Sequence, residues 1–118
     1  MANPVPNTND GSVPQGPYSY ERLAADGAIT LGKKVVFITH ADAVAGTLAA
    51  PTNPDMNGFE MHIIAQTAMA HVITATNLIN GDYDTLTFGG AIGDSIILYA
   101  DGGEWFTGML INVTVASA

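Results

Sequence analysis

The side chains with the most chemical potential in this sequence are a lone tryptophan beside a carboxylate, a run of Asx residues and three histidines. Ala100 to Gly108, ADGGEWFTG, places Glu104 and Trp105 directly after Asp101-Gly102-Gly103. An exposed aromatic with a carboxylate beside it can hold a sugar ring by stacking and hydrogen bonding. The same residues also make a strong two-residue hairpin signal. On that second reading Tyr99 and Trp105 are near each other across the turn, and Tyr99, Trp105 and Phe106 are core or oligomer-interface aromatics. Asn53 to Gly58, NPDMNG, spaces Asn53, Asp55, Asn57 and Gly58 as in the first half of a calcium loop. The closing bidentate glutamate of such a loop would fall on Ile64, so Asx side chains bonded to their own backbone are the expected reading. His40, His62 and His71 show neither H-x-H nor H-x-x-x-H spacing. Zinc needs three or four converging ligands. Polar-face or interface positions on strands are therefore expected for all three, and no metal or cofactor is expected.

Ser95 follows Gly93-Asp94 in the run IGDSII. A nucleophilic serine needs a base, usually histidine, and an acid that orients it. Esterases with a Gly-Asp-Ser-Leu block place the serine early and the histidine late. Here all three histidines precede Ser95, and Ile96 takes the place of the leucine. Gly93-Asp94 then reads as a turn entering a strand. The neighbouring GGAIG, Gly89 to Gly93, lacks the lysine and following helix of a phosphate loop. No catalytic residue is expected, and the chain does not read as an enzyme.

Composition narrows the partners. The 118 residues suffice for one domain, able to bury roughly two-thirds of its unfolded surface. The net charge is −8, and the only cations, Arg22, Lys33 and Lys34, precede residue 35. Such an acidic surface repels phosphate, which argues against direct contact with nucleic acid or an anionic membrane. No apolar run approaches the ~20 residues of a membrane-spanning helix, and no signal peptide is expected at the N-terminus. Charged residues make up 12% of the chain, about half the usual share. Few charges with many apolar residues favour an oligomer.

The positions of these residues depend on an all-β body. Residues 1–20 hold four of the six prolines. They read as an extended proline-rich arm, ordered only against a partner or neighbouring subunit, or else as a disordered tail. Pro4, Val5, Pro6, Val13, Pro14, Pro17, Tyr18 and Tyr20 are its candidate contacts. Ser19 to Gly27 predicts a short helical turn capped by Ser19 and stopped by Gly27. The rest of the body, 21–118, reads as short strands punctuated by glycine. Val35–Thr39 is expected to be buried on both faces. Phe59–Ala65 alternates, with Phe59, Met61, Ile63 and Ala65 on one side. His71–Thr76 follows, with Gln66–Ala70 as the turn between the two. Thr47–Leu48, Thr85–Phe88, Ser95–Ala100, Trp105–Gly108 and Leu110–Val115 complete the set. Many short strands with close turn signals predict a single-domain β-sandwich, jelly-roll-like, or a small barrel of antiparallel strands.

Three runs in this pattern carry a resemblance. GDSIILYADGGEWFTG, AITLGKKVVFITHADAVAGTLAAP and NGFEMHIIAQTAMAHVITAT resemble turn and strand patterns of small β-rich virion modules of tailed bacteriophages. The likeness spans roughly Ala28 to Gly108. A small chain of this kind with an N-terminal arm looks most like a capsid decoration, or cement, protein. The resemblance implies homotrimers on the outer surface of the capsid, with the arm laid on the major capsid protein. A trimeric receptor-binding or fibre-tip module that binds host glycans through Trp105 and Glu104 is the alternative.

Overall fold

Side chains two residues apart fall on the same side of a strand, and here that spacing sets the core. Met61, Ile63 and Ala65 are buried, while Glu60, His62 and Ile64 between them are half-exposed. Ile96, Leu98 and Ala100 repeat the pattern, as do Leu86 and Phe88. The computed structural model describes residues 19–117. Within them the chain is all-β: β1 (Tyr20–Leu23), β2 (Gly27–Ala28), β3 (Val35–Ile38), β4 (Ala45–Thr47), β5 (Glu60–Ala65), β6 (Val72–Ile79), β7 (Tyr83–Phe88), β8 (Ser95–Asp101), β9 (Glu104–Ile111) and β10 (Val113–Ala116). One 3-10 turn, Pro54–Met56, precedes β5.

The strands form two walls of a nearly closed barrel-like sheet. The first wall runs β1-β3-β5-β8-β9, and the second runs β2-β4-β6-β7-β10. From β1 to β6 consecutive strands alternate between walls. Neighbours within a wall are therefore two strands apart in sequence and run parallel: β1 with β3, β3 with β5, β2 with β4, and β4 with β6. A parallel pair needs a crossover long enough to return the chain to its starting end. In this chain the crossover is a strand of the opposite wall. Only the later pairs β5–β8, β8–β9, β6–β7 and β7–β10 are antiparallel.

The walls meet where Ile79 pairs with Trp105. Beyond that pair Asn80 substitutes for a strand. Its backbone N–H donates to Trp105 O (2.8 Å), its Oδ1 accepts from Thr107 N (3.0 Å) and its Nδ2 donates to Thr107 Oγ1 (3.0 Å). Asn80 does this at φ 50°, a left-handed conformation that asparagine tolerates better than most residues.

Several sequence expectations are corrected. Tyr20–Leu23 is a strand and not a helical turn: Leu23 points into the core, and the Glu21 carboxylate accepts from Thr30 N and Oγ1 (2.9 and 2.7 Å). Pairing with β3 overrides the local propensity. Phe59–Ala65 and His71–Thr76 do not form a hairpin. β5 lies between β3 and β8, whereas β6 belongs to the other wall, so residues 66–71 cross between walls. Val35–Thr39 is not buried on both faces, because Val36 and Ile38 are buried while Val35 and Phe37 are half-exposed. The expected strand from Leu110 to Val115 is broken at Asn112 (φ 54°) into the end of β9 and β10.

Of the proposed arm contacts, Pro4, Val5, Pro6, Val13, Pro14, Pro17 and Tyr18 lie outside the described residues. Tyr20 belongs to β1. Its ring meets Phe37 edge-on, 6.3 Å between centroids, with the Arg22 guanidinium 5.3 Å from its own centroid.

Candidate functional site

The opening hairpin is real, and it separates the aromatics. Asp101 pairs with Glu104 across Gly102-Gly103. Both glycines have positive φ, 59° and 82°, as a twist-matched two-residue hairpin turn requires. The register sets Tyr99 opposite Phe106 and Ala100 opposite Trp105. Tyr99 and Trp105 therefore lie on opposite faces, which corrects the expected adjacency. Trp105 is 0% exposed, and its indole N–H donates to Ala49 O (3.0 Å). It has no free face on which a sugar could stack. Glu104 is half-buried, and its Oε1 has no hydrogen-bond partner.

The Asx run beside this hairpin is a brace. Asn53 Oδ1 caps the 3-10 turn by accepting from Asp55 N (3.0 Å), and Asn57 Oδ1 accepts from Gly102 N (3.0 Å). Gly58 N donates to Ala100 O (2.6 Å). The side-chain oxygens of Asn53 and Asn57 that would face a calcium ion thus hold backbone amides. No cluster of three or more histidine, aspartate or glutamate side chains suited to a metal occurs among the described residues.

Gly93-Asp94-Ser95 is likewise structural. Asp94 is buried, and its carboxylate accepts from Ala91 N (2.9 Å) and Asn112 Nδ2 (3.1 Å). Burial alone would raise its pKa. The amide of Ala91, the Asn112 side chain and the amides of Gly90 and Gly89 outweigh burial and hold the carboxyl below its usual 3.8. Gly89 leaves room for this knot, since a Cβ there would sit 2.2 Å from Asn112 Nδ2. Ser95 opens β8 between Ile64 and Ile111.

The histidines have separate fates. His62 lies on the outer face of the first wall, its Nε2 2.5 Å from Glu60 Oε2. The pair borders a cleft of about 560 Å³ lined also by Ser19, Lys34, Val35 and Phe59. His71 is fully buried against Phe88, with ring centroids 6.3 Å apart. Val44 N–H donates to His71 Nδ1 (2.9 Å), so the ring proton is on Nε2. That Nε2–H donates to Thr67 Oγ1 (2.9 Å), whose own proton goes to His40 O (2.7 Å). Every member of this chain is satisfied only by a neutral imidazole. Burial lowers the His71 pKa below 6.5, outweighing a hydrogen bond with Thr67 that raises it, and His40 adds a smaller lowering.

The consequence is acid sensitivity. The unfolded chain takes up the proton at a higher pH than the native chain does. The contribution of His71 is therefore complete above 6.5 and is lost as pH falls towards the lowered native value. Urea unfolding measured from about pH 7 to about pH 5 should show a loss of up to about 1.4 kcal/mol per pH unit from this group. His71→Gln keeps an acceptor and a donor but cannot titrate, and it should remove that slope. An unchanged slope would contradict the assignment.

The two outer faces of the barrel differ in chemistry. On the second wall Thr47, Thr74 and Thr85 stand side by side, and Thr87 pairs with Thr114. On the first wall the outward residues include Tyr20, Val35, Phe37, Ile64, Ile97, Tyr99 and Phe106, together with the polar Arg22, Glu60, His62, Ser95, Asp101 and Glu104. The first wall thus carries large apolar side chains on its outer face as well as its inner one. Sequence reasoning reached the exposed aromatics Tyr99 and Phe106 but missed Thr67, Asn80 and Asn112. Only the Asn80-Gly81 dipeptide carries a local turn signal. A scan of protein-family models, a search of curated proteins and a search of solved structures each find no match to this chain.

Proposed function

We propose that this chain is a structural component of a tailed-bacteriophage virion, a decoration or cement protein that binds the outer capsid surface as a homotrimer. The reading rests on the family resemblance. The structural observation that favours it is the first wall, whose outer face exposes Tyr20, Tyr99, Phe106 and Ile111 where a solvated sheet would be more polar. A surface of this kind serves contact between macromolecules.

The base of the proposed arm supports the same reading. Ser19 is tied to the body: its Oγ donates to Gly32 O (3.0 Å), and its carbonyl accepts from Lys34 N and Val35 N (3.2 and 3.3 Å). Arg22, Lys33 and Lys34 lie on β1 and the turn before β3, so the cations of this acidic chain gather where the N-terminal segment departs. In the proposed mechanism the segment lies on the major capsid protein, while the body bridges neighbouring subunits. Repeated over a shell, apolar burial at about 25 cal/mol per Å² raises the barrier to rupture under internal DNA pressure.

Deleting residues 1–17 is expected to abolish co-sedimentation with capsids of the encoding virus while leaving the body folded. A truncated chain that saturates those capsids as the full chain does would overturn the role of the arm. Full-length chain that fails to bind them at all would overturn the decoration reading.

A further inference from the structure

We infer that the outer face of β8 and β9, from Tyr99 and Phe106 to Ile111, is the surface on which copies of this chain pack against one another. The inference rests on the oligomer proposed above and names the surface that builds it. Tyr99, Phe106, Met109 and Ile111 are 40%, 42%, 63% and 49% exposed. Tyr99 pairs with Phe106, and Ile111 pairs with Ser95 on the same outer side. Gly108 completes the strip. A Cβ at that position would come within 2.7 Å of Tyr99 Cε2, so the glycine lets the tyrosine ring lie over β9.

Among the described residues the strip is also an uncovered edge. β9 meets the second wall only at Trp105, with Asn80 covering Thr107. No described strand pairs with Gly108–Ile111 on the side away from β8. Leu110, inward by its register with Ile96, is consequently 40% exposed itself. Three successive apolar residues stand open at the edge of a sheet. Solitary proteins protect such edges with charge, proline or a covering loop. This one has none of the charge: from Trp105 to Ala118 the sequence has no charged side chain.

Electrostatics selects the occupant. With a net charge of −8, two copies repel wherever their acidic surfaces meet. A charge-free strip is where they can approach without that cost. A three-fold axis sharpens the requirement, because a charge beside the axis faces two images of itself. Asp101 and Glu104 lie at the turn end of the hairpin, at the opposite end of β9 from Met109–Ile111. Glu60, the acid opposite Tyr99, is held by His62. A basic partner would instead be met by acids, and from Phe106 to Ile111 β9 offers it none.

The test is sedimentation of the full chain beside two double variants, Phe106→Glu/Met109→Glu on the strip and Thr74→Glu/Thr87→Glu on the opposite wall. Circular dichroism reports whether each is folded. The strip variant should associate on the order of 100-fold more weakly than the wild type, since like charges juxtaposed at an interface are strongly opposed. The threonine-wall variant should associate as the wild type does. Amide exchange of Gly108–Ile111 in the wild type should slow as concentration rises, which tests the surface even if the strip variant fails to fold.

Equal association of the strip variant, or concentration-dependent protection elsewhere, would overturn the surface and leave the oligomer standing. A wild type that stays monomeric would overturn both the surface and the trimer, with capsid binding judged by its own experiment. A dimer through this strip would uphold the surface and overturn three-fold assembly.

Discussion

Replacing Trp105 with alanine should be among the most destabilising single substitutions in the chain. Trp105 is fully buried, donates to Ala49 O and sits where the two walls join. Its removal opens a cavity where neither wall can close over it, at a cost of about 3–5 kcal/mol. It also leaves the Ala49 carbonyl without that donor. Domains of this size are stable by only about 5–15 kcal/mol, so one substitution removes a large fraction. Trp105→Phe keeps most of the ring packing and loses the hydrogen bond, so it should cost less, about 1–2 kcal/mol from the lost bond. Urea denaturation of the three proteins orders them directly. An alanine variant as stable as the wild type would contradict burial at the seam. A sugar-binding role at Trp105 would have required the opposite result, an intact fold with lost binding.

The second large effect is expected at Asp94. Its carboxylate gathers amides of the 89–94 loop and the side chain of Asn112. Asp94→Ala would strip these donors of their shared acceptor inside the protein. Hydrogen bonds to a charged group contribute about 1.5–3 kcal/mol, and unsatisfied buried groups add to the loss, so a total of about 3 kcal/mol or more is expected. The loss should appear as a lower urea midpoint with an unchanged slope. Asp94 also sets an acid limit distinct from that of His71. Because its native pKa is depressed, its contribution is complete above 3.8 and disappears as pH falls through the native value. Below 3.8 the wild type should converge on the variant; a constant difference between them across acid pH would show that the carboxylate charge is not what holds the loop.

How far the sequence led can be judged residue by residue. Met61, Ile63 and Ala65 announced their burial through period-two spacing, and Asp101-Gly102-Gly103 announced a hairpin through turn chemistry. Both are local signals. The errors concern partners. Nothing near Phe59–Ala65 indicates that it pairs with β3 and β8 and not with the next strand, because parallel neighbours are joined through the opposite wall. Tyr20–Leu23 read as helical because its strand partner, β3, begins 15 residues later in register, Tyr20 opposite Val35. For the candidate sites, type and spacing marked Asn53–Gly58 and Gly93–Asp94 as turns, and the structure places a turn at both. The positive structural roles were not legible. Asn57 reaches Gly102 across 45 positions, and Val44 reaches His71 across 27. Such bonds exist only once the walls have closed.

The alternation of the first six strands also bears on how the chain assembles as it is synthesised. The antiparallel neighbours joined by short turns, β6 with β7 and β8 with β9, lie in the second half of the sequence. Their loops are the least costly to close. The first half contains no such hairpin, since each parallel pair waits for a strand of the opposite wall to be in place. β5 gains its second neighbour only with β8, and the seam forms only with Trp105. The half that leaves the ribosome first is therefore the half with the fewer local pairings, and both walls are completed only once the second half has been made.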